Sequence, residues 1–217
     1  MKQPVAGIVA TGLVMAVALG FVSLFSLPVF TGWVAFFLLC VIPIQIVVAV
    51  TWGSNPPFAA GKQQPLKGLI LIVATLVVGV VVTAATHRLI GGGISPPTPM
   101  VTMCAIVSVV ITFWAAIIWG GWPFTALIKN VVAAGLTMLV VCYIVNYALF
   151  RVFFDYGFMQ GAPVYVAAQD PHGLFPAWNA LVFYLSCLAG MFLMVNFDLW
   201  PLTTMPAVMR QPRLGLE

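Results

Sequence analysis

The chain has 217 residues, of which 63% are hydrophobic and only 6% are charged, and its formal net charge is +4. Soluble domains carry about 25% charged residues, so this chain has too few polar side chains to cover a globular surface in water. The composition excludes a soluble globular protein and identifies the lipid bilayer as the expected partner. No basic patch accompanies the small positive charge, so we expect no nucleic acid partner.

Six apolar segments are long enough to cross a bilayer, because a membrane-spanning helix needs about 20 apolar residues. Their predicted ranges are 4–27, 32–53, 67–87, 99–120, 129–150 and 177–199. β-Branched residues are frequent in them, but a single lipid-exposed segment satisfies its own backbone hydrogen bonds only as a helix. The sequence therefore predicts an all-α integral membrane protein. We expect one transmembrane domain over 1–217, a bundle of six helices arranged as three hairpins.

The first segment has a second interpretation. Lys2, an apolar core and the "AVA" at 16–18 resemble a secretory signal peptide with its cleavage site. The apolar run continues to Leu27, which favours a retained first helix.

Basic residues divide unequally between the two sides that six spans define. One side holds Arg88 and Arg151, and the other side holds Lys2, Lys62, Lys67, Lys129, Arg210 and Arg213. Cytoplasmic loops of membrane proteins are enriched in Lys and Arg. The pattern predicts that both termini are cytoplasmic, in what we expect to be a bacterial cytoplasmic (inner) membrane.

The second, fourth and sixth segments end in a similar pattern of Trp, then Pro, then a base. We predict that Trp52, Trp122 and Trp200 anchor these ends at the membrane surface, where indole rings are enriched. The same pattern also divides the chain into a possible three-hairpin repeat, 1–58, 59–124 and 125–202. Repeats of this kind build binding sites in many transporters.

A shorter echo links "QQPLKGL" at 63–69 with "RQPRLGL" at 210–216. A membrane segment follows the first copy directly. The echo suggests that the chain is half of a longer protein, or pairs with a second membrane subunit. A homo-oligomer is the alternative partner arrangement.

Small residues recur every four positions in two segments. They are Gly12, Ala16 and Gly20 in the first, and Cys104, Ser108, Thr112, Ala116 and Gly120 in the fourth. Such stripes let helices approach closely. The stripe in the fourth segment is either a packing face or one side of a narrow polar path.

Charged residues are absent from the middle of every segment, which argues against a proton-driven antiporter and a voltage sensor. The candidate substrate path is lined by uncharged polar residues, namely Gln45, Ser108, Thr112 and Asn146. Pro43 can kink the helix beside Gln45. These features favour a transporter or channel subunit for a small neutral or weakly polar solute.

Ionisable residues gather instead on the predicted outer face. The outer-face candidates are His87, Arg88, Asp155, Asp170 and His172. Imidazole and carboxylate suit zinc, copper or iron, so His87, Asp170 and His172 are metal candidates. The aromatic loop 151–176 that carries three of the five is expected to lie on the membrane surface or to fold back as a lid.

Three functions from different classes therefore remain open. A transporter or channel predicts a polar cavity that reaches the middle of the membrane. A non-catalytic subunit of a larger membrane complex predicts a dry bundle with an apolar groove. A membrane enzyme predicts that His87, Asp155, Asp170 and His172 converge at a metal or acid–base site on the outer face. The sequence alone assigns no catalytic residue and no cofactor.

Overall fold

The computed structural model describes residues 4–197 and Trp200. These residues contain six helices that are long and apolar enough to span a membrane, the number that the sequence predicts. They are α1 (Val5–Ser23), α2 (Leu27–Thr51), α3 (Leu66–Leu89), α4 (Pro99–Ile118), α6 (Val131–Phe153) and α7 (Ala177–Asn196). A four-residue helix, α5 (Phe124–Leu127), precedes α6. This is the architecture of an all-α integral membrane protein.

Capping residues set the helix ends where they differ from the apolar runs. Helix α2 begins five residues before its predicted start, because Pro28 occupies the first turn, where a missing N–H does no harm. Helix α6 begins only after Asn130, whose side chain accepts hydrogen bonds from the N–H groups of Val132 and Ala133 at 2.9 and 3.1 Å. This cap excludes Lys129 from the helix.

Helix α4 lies at the centre of the bundle, where it contacts α2, α3, α6 and α7. Four of the five small residues predicted as a stripe in this helix are buried, at Cys104, Ser108, Thr112 and Ala116, whereas the fifth, Gly120, is exposed in the turn after the helix. The hydroxyls of Ser108 and Thr112 donate to carbonyls of their own helix, at Ala105 and Ser108. These polar groups are therefore satisfied locally while the helices pack closely.

Helix α3 packs against α2 through a second stripe of small residues. The buried residues of α3 are Thr75, Gly79, Thr83 and Thr86, and the remaining residues of the helix are half-buried or exposed. A Cβ atom at Gly79 would lie 2.5 Å from Cγ2 of Val41 on α2. Only glycine therefore allows this approach of the two backbones.

Helix α1 stands apart from this packing, since none of its residues is buried. A Cβ atom added at Gly12 or Gly20 would meet nothing within 4 Å. Within the described residues, the small-residue stripe of α1 thus has no closely packed neighbour.

Helices α2 and α4 end in the same way. Each closes with a π-helical turn, Val47–Thr51 and Trp114–Ile118, and each is followed by a Trp with nearly the same backbone angles. These two residues, Trp52 and Trp119, have φ of −95° and −94°. The structural counterpart of Trp52 is therefore Trp119, whereas the sequence pattern pairs it with Trp122.

The turns after these helices repeat as well. Gly53 and Ser54 follow the first with φ of 53° and 54°, and Gly120 and Gly121 follow the second with φ of 56° and 78°. Left-handed residues close helix ends by carrying an N–H group back to the last carbonyls. The similarity is one of helix ends, and the three-hairpin repeat stays a prediction, because 201–202 of its third copy lie outside the described residues.

The three predicted anchor tryptophans have different surroundings. Trp52 is buried, and its indole N–H donates to the carbonyl of Val131 at 2.9 Å, which joins α2 to the start of α6. Trp122 is half-buried beside Trp119, with ring centres 5.8 Å apart, and Trp200 is exposed. Their anchoring at the membrane surface stays a prediction.

Candidate functional site

The segment between α6 and α7 folds into a cap. It begins with β1 (Phe154–Asp155), which pairs in parallel with β2 (Phe175–Pro176) just before α7. The N–H of Gly173 donates to the carbonyl of Phe154 at 2.7 Å. A Cβ atom at Gly173 would lie 2.5 Å from the Phe154 nitrogen, so glycine is required at this crossing.

Polar contacts tie the cap to the loop between α3 and α4. The Nε2 group of Gln169 donates to the carbonyl of Gly91 at 2.6 Å. The hydroxyl of Thr98, which begins α4, donates to Oε1 of the same Gln169. Both side chains are buried, so the two loops at this end of the bundle form one connected layer.

Aromatic packing holds the cap on the ends of the helices. Phe154 stacks on Tyr184 of α7 at 5.9 Å and lies 5.2 Å from Phe150 of α6. Tyr156, the next aromatic in the cap, is also buried. The loop 151–176 therefore folds back over the end of the bundle, which is the lid arrangement expected as one of the two alternatives.

The carboxylate of Asp170 organises the polar part of the cap, and its side chain is fully buried. Its Oδ1 accepts the backbone N–H groups of Tyr156 at 3.1 Å and of His172 at 3.0 Å. Its Oδ2 accepts the hydroxyl of Tyr165 at 3.0 Å. A buried carboxylate needs donors of this kind to offset the loss of hydration.

The bond from the His172 N–H closes a tight turn over Asp170-Pro171-His172. His172 has φ of +52°, a left-handed conformation that is uncommon for a residue with a side chain. The turn carries the imidazole ring back over the carboxylate. Backbone strain of this kind persists only where the surrounding contacts hold it, and it concentrates at functional sites.

The turn brings His172 next to both acidic residues of the cap. Its Nδ1 lies 3.4 Å from Oδ2 of Asp170 and 3.8 Å from Oδ1 of Asp155. One ligand atom from each of the three residues lies within 4.8 Å of the others. Ligands about 2.1 Å from a tetrahedral zinc ion are about 3.4 Å apart, so small side-chain shifts would give this trio metal-binding geometry.

The charge around the trio favours a cation. Asp155 and Asp170 are the only acidic residues in the described part of the chain, since Asp198 and Glu217 lie outside it. Among the described residues, the only Lys, Arg or His side-chain nitrogen within 4.0 Å of a carboxylate oxygen is Nδ1 of His172. No Lys or Arg of the described residues is therefore close enough to neutralise the two carboxylates.

Tyrosines around Asp170 are held in their neutral form. Burial of its phenol, followed by the hydrogen bond to Asp170 and the charge of that carboxylate, raises the pKa of Tyr165. Burial likewise raises the pKa of Tyr156 well above its usual range. Tyr165 therefore remains a hydrogen-bond donor to Asp170 at neutral pH.

Two other outer-face candidates lie away from the trio. His87 contacts Trp33 with ring centres 4.9 Å apart, and Arg88 beside it is exposed. His87 is not a member of the cluster, so the structure brings together Asp155, Asp170 and His172 of the four residues expected to converge.

The substrate-path candidates are also separated. Gln45 is exposed on the outer surface of α2, whereas Ser108, Thr112 and Asn146 are buried. The amide of Asn146 donates to the carbonyl of Cys104 at 3.0 Å, and its Oδ1 is buried with no hydrogen-bond partner among the described residues. These four residues therefore do not share one surface of the chain.

Sequence reasoning missed the residues that support the trio. Tyr165 donates to Asp170, and Gln169 with Thr98 fixes the adjacent loop. The only signal for Tyr165 and Gln169 was their place in an aromatic, polar loop too long to be a simple connection. Comparison of the chain with protein families, with curated proteins and with solved structures gives no match.

Proposed function

We propose that this protein binds a divalent transition-metal ion through Asp155, Asp170 and His172, at the end of the helix bundle that carries the cap. The observation that supports the proposal most directly is the convergence of a histidine with two carboxylates that no Lys or Arg of the described residues contacts. Zinc accepts this combination of ligands, and manganese and iron accept it as well.

The proposed site has the form of a reactive metal centre. Three protein ligands leave a coordination position for water or a substrate, as in catalytic zinc sites. The side chain of His172 is 61% exposed, so the open position would face outward from the cap. The function is then metal-dependent chemistry at the membrane surface, the third of the three functions left open by the sequence.

Zinc equilibrium dialysis of the purified protein, after treatment with a chelator, tests this proposal. We expect one zinc ion per chain in the wild type and a loss of more than about tenfold in affinity in His172→Ala, since loss of a supporting contact alone costs that much. His87→Ala is the matched control, because it removes the only other histidine. Equal zinc binding by the wild type and His172→Ala would refute the proposal.

The location of the site follows from a second proposal about orientation. The excess of Lys and Arg on the opposite side supports cytoplasmic termini in a bacterial cytoplasmic (inner) membrane. The cap would then face the outer side of that membrane.

A role as a membrane subunit is supported by α1. This 19-residue apolar helix has no buried residue, and its stripe of Gly12, Ala16 and Gly20 is free to receive another helix. Intact-mass analysis after purification in mild detergent tests this role. A second polypeptide at fixed stoichiometry, crosslinked through an Ala16→Cys variant, is expected, and a monomer that forms no crosslink would contradict it.

Transport of a small neutral or weakly polar solute stays a prediction. Its remaining support is a buried polar group of α6 that lies beside Cys104 of α4. This group is the Oδ1 atom of Asn146, which has no hydrogen-bond partner in the part of the chain that the structure describes. Solute flux in liposomes that is lost in Asn146→Leu would support it, and flux equal to that of empty liposomes would contradict it.

A further inference from the structure

A groove of about 300 Å³ lies between α2 and α3, separate from the metal trio. Its walls are apolar, with Trp33 and Phe37 on α2 facing Val80 and Ala84 on α3. The groove reaches the last turn of α3, at the same end of the bundle as the cap. It thus runs from the apolar zone of the helices towards the membrane surface.

The end of the groove near the membrane surface is polar and positively charged. His87 and Arg88, in the last turn of α3, line it there. The Nδ1 atom of His87 is buried and has no hydrogen-bond partner among the described residues. No carboxylate oxygen of the described residues lies within 4.0 Å of Arg88.

We propose that this groove binds one anionic phospholipid, with an acyl chain against Phe37, Val80 and Ala84 and the phosphate at Arg88 and His87. A guanidinium group matches the geometry of a phosphate with two parallel hydrogen bonds. The imidazole of His87 adds a second polar side chain at this end of the groove. The apolar walls and the cationic end then each have a complementary part of one ligand.

Charge complementarity favours a lipid over a helix of another protein chain. Both acidic residues of the described chain are in the cap beside His172, so the guanidinium of Arg88 is available to an anion of the ligand. Anionic headgroups supply this charge at the depth where the helix ends. A partner helix would supply it only with an acidic residue at the same level.

Native mass spectrometry with equal amounts of phosphatidylglycerol and phosphatidylcholine of the same acyl chains tests the inference. One basic residue near an anionic headgroup contributes about 1 kcal/mol, which corresponds to about a fivefold difference in affinity. The wild type should therefore bind phosphatidylglycerol about fivefold more than phosphatidylcholine. Arg88→Gln should abolish the preference. Arg151→Gln is the matched control, because Arg151 is likewise exposed in the last turn of a helix at this end.

A second pair of variants tests the apolar part of the site. Ala84→Phe fills the groove and should remove the bound lipid, whereas Ala85→Phe, at the next exposed position outside the groove, should leave it. Inorganic phosphate should not displace the lipid, since the acyl chain contributes to binding.

Three results would overturn the inference. One is equal preference for phosphatidylglycerol in Arg88→Gln and Arg151→Gln. Another is displacement by inorganic phosphate with no effect of Ala84→Phe, which would indicate a simple anion site. The third is a crosslink from Ala84→Cys to a second polypeptide, which would place a partner helix in the groove.

Discussion

The Nδ1 atom of His172 lies 3.4 Å from Oδ2 of Asp170, across a turn that the same carboxylate closes through the His172 N–H. Asp170 therefore shapes the cap and also faces the imidazole. His172 contributes to the turn through its backbone N–H, and its side chain contacts the carboxylates without closing the turn. Substitutions can therefore distinguish the two roles. A change at Asp170 alters the cap and the site together, whereas a change at the His172 side chain alters the site alone.

Asp170→Asn should loosen the cap. The substitution leaves one acceptor oxygen for the donors of Tyr156, Tyr165 and His172 and places an NH₂ group among them. Loss of buried hydrogen bonds of this type costs about 1–3 kcal/mol. Hydrogen exchange measured by mass spectrometry should be faster over 154–176. Asp155→Asn is the control, since Asp155 is partly exposed and accepts one N–H at 3.3 Å, and equal exchange in both variants would contradict the role assigned to Asp170.

Tyr165 should titrate above the usual tyrosine pKa of about 10. Burial and the adjacent Asp170 favour its neutral form, so its pKa is raised on folding. This contribution to stability is complete below about pH 10 and is lost as pH rises through the folded pKa. NMR of ¹³C-labelled tyrosine, with the signal assigned through Tyr165→Phe, measures the value. It should fall towards 10 in Asp170→Asn, and an unchanged value would show that the carboxylate plays no part.

Gly135→Ala should destabilise the bundle. A Cβ atom at this position would overlap the indole nitrogen of Trp52, which is held by its bond to Val131. Overpacking of a buried contact costs about 1–3 kcal/mol, so the melting temperature in detergent should drop. Gly12→Ala is the matched control, because a Cβ atom there meets nothing within 4 Å. Similar melting temperatures for the two variants would argue against the close approach of α2 and α6.

The predicted orientation can be measured by cysteine labelling. In a background without Cys40, Cys104, Cys142 and Cys187, an impermeant thiol reagent added to intact cells should label Ala168→Cys in the cap and leave Lys62→Cys unlabelled. Both positions are exposed in the structure, so reagent access depends on the side of the membrane alone. The reverse labelling pattern would invert the assigned orientation.

The number of spans was predictable because one physical requirement determines it: about 20 apolar residues must satisfy their own hydrogen bonds. The stripe from Cys104 to Ala116 was also readable, since small residues at a spacing of four mark a close helix contact. The structural equivalence of Trp52 and Trp119 could not be predicted from the sequence. It depends on π-helical turns, which shift the register of a helix end without a distinct sequence signal.

The site was predictable only in its residue types. Asp155 and His172 are 17 positions apart in a loop, and their approach depends on the pairing of Phe154 with Phe175 and on the left-handed turn at His172. Neither is visible as a periodic pattern. His87 was grouped with them because it is predicted to lie on the same outer face of the membrane. In the structure its ring contacts Trp33 of α2 instead.

X-ray absorption at the zinc K edge of the zinc-loaded protein tests the central claim most directly. The account predicts one imidazole nitrogen and carboxylate oxygens at about 2.0–2.2 Å, with loss of the imidazole signal in His172→Ala and no change in His87→Ala. A spectrum of hydrated zinc in the wild type, or one that changes only in His87→Ala, would contradict a metal site formed by Asp155, Asp170 and His172.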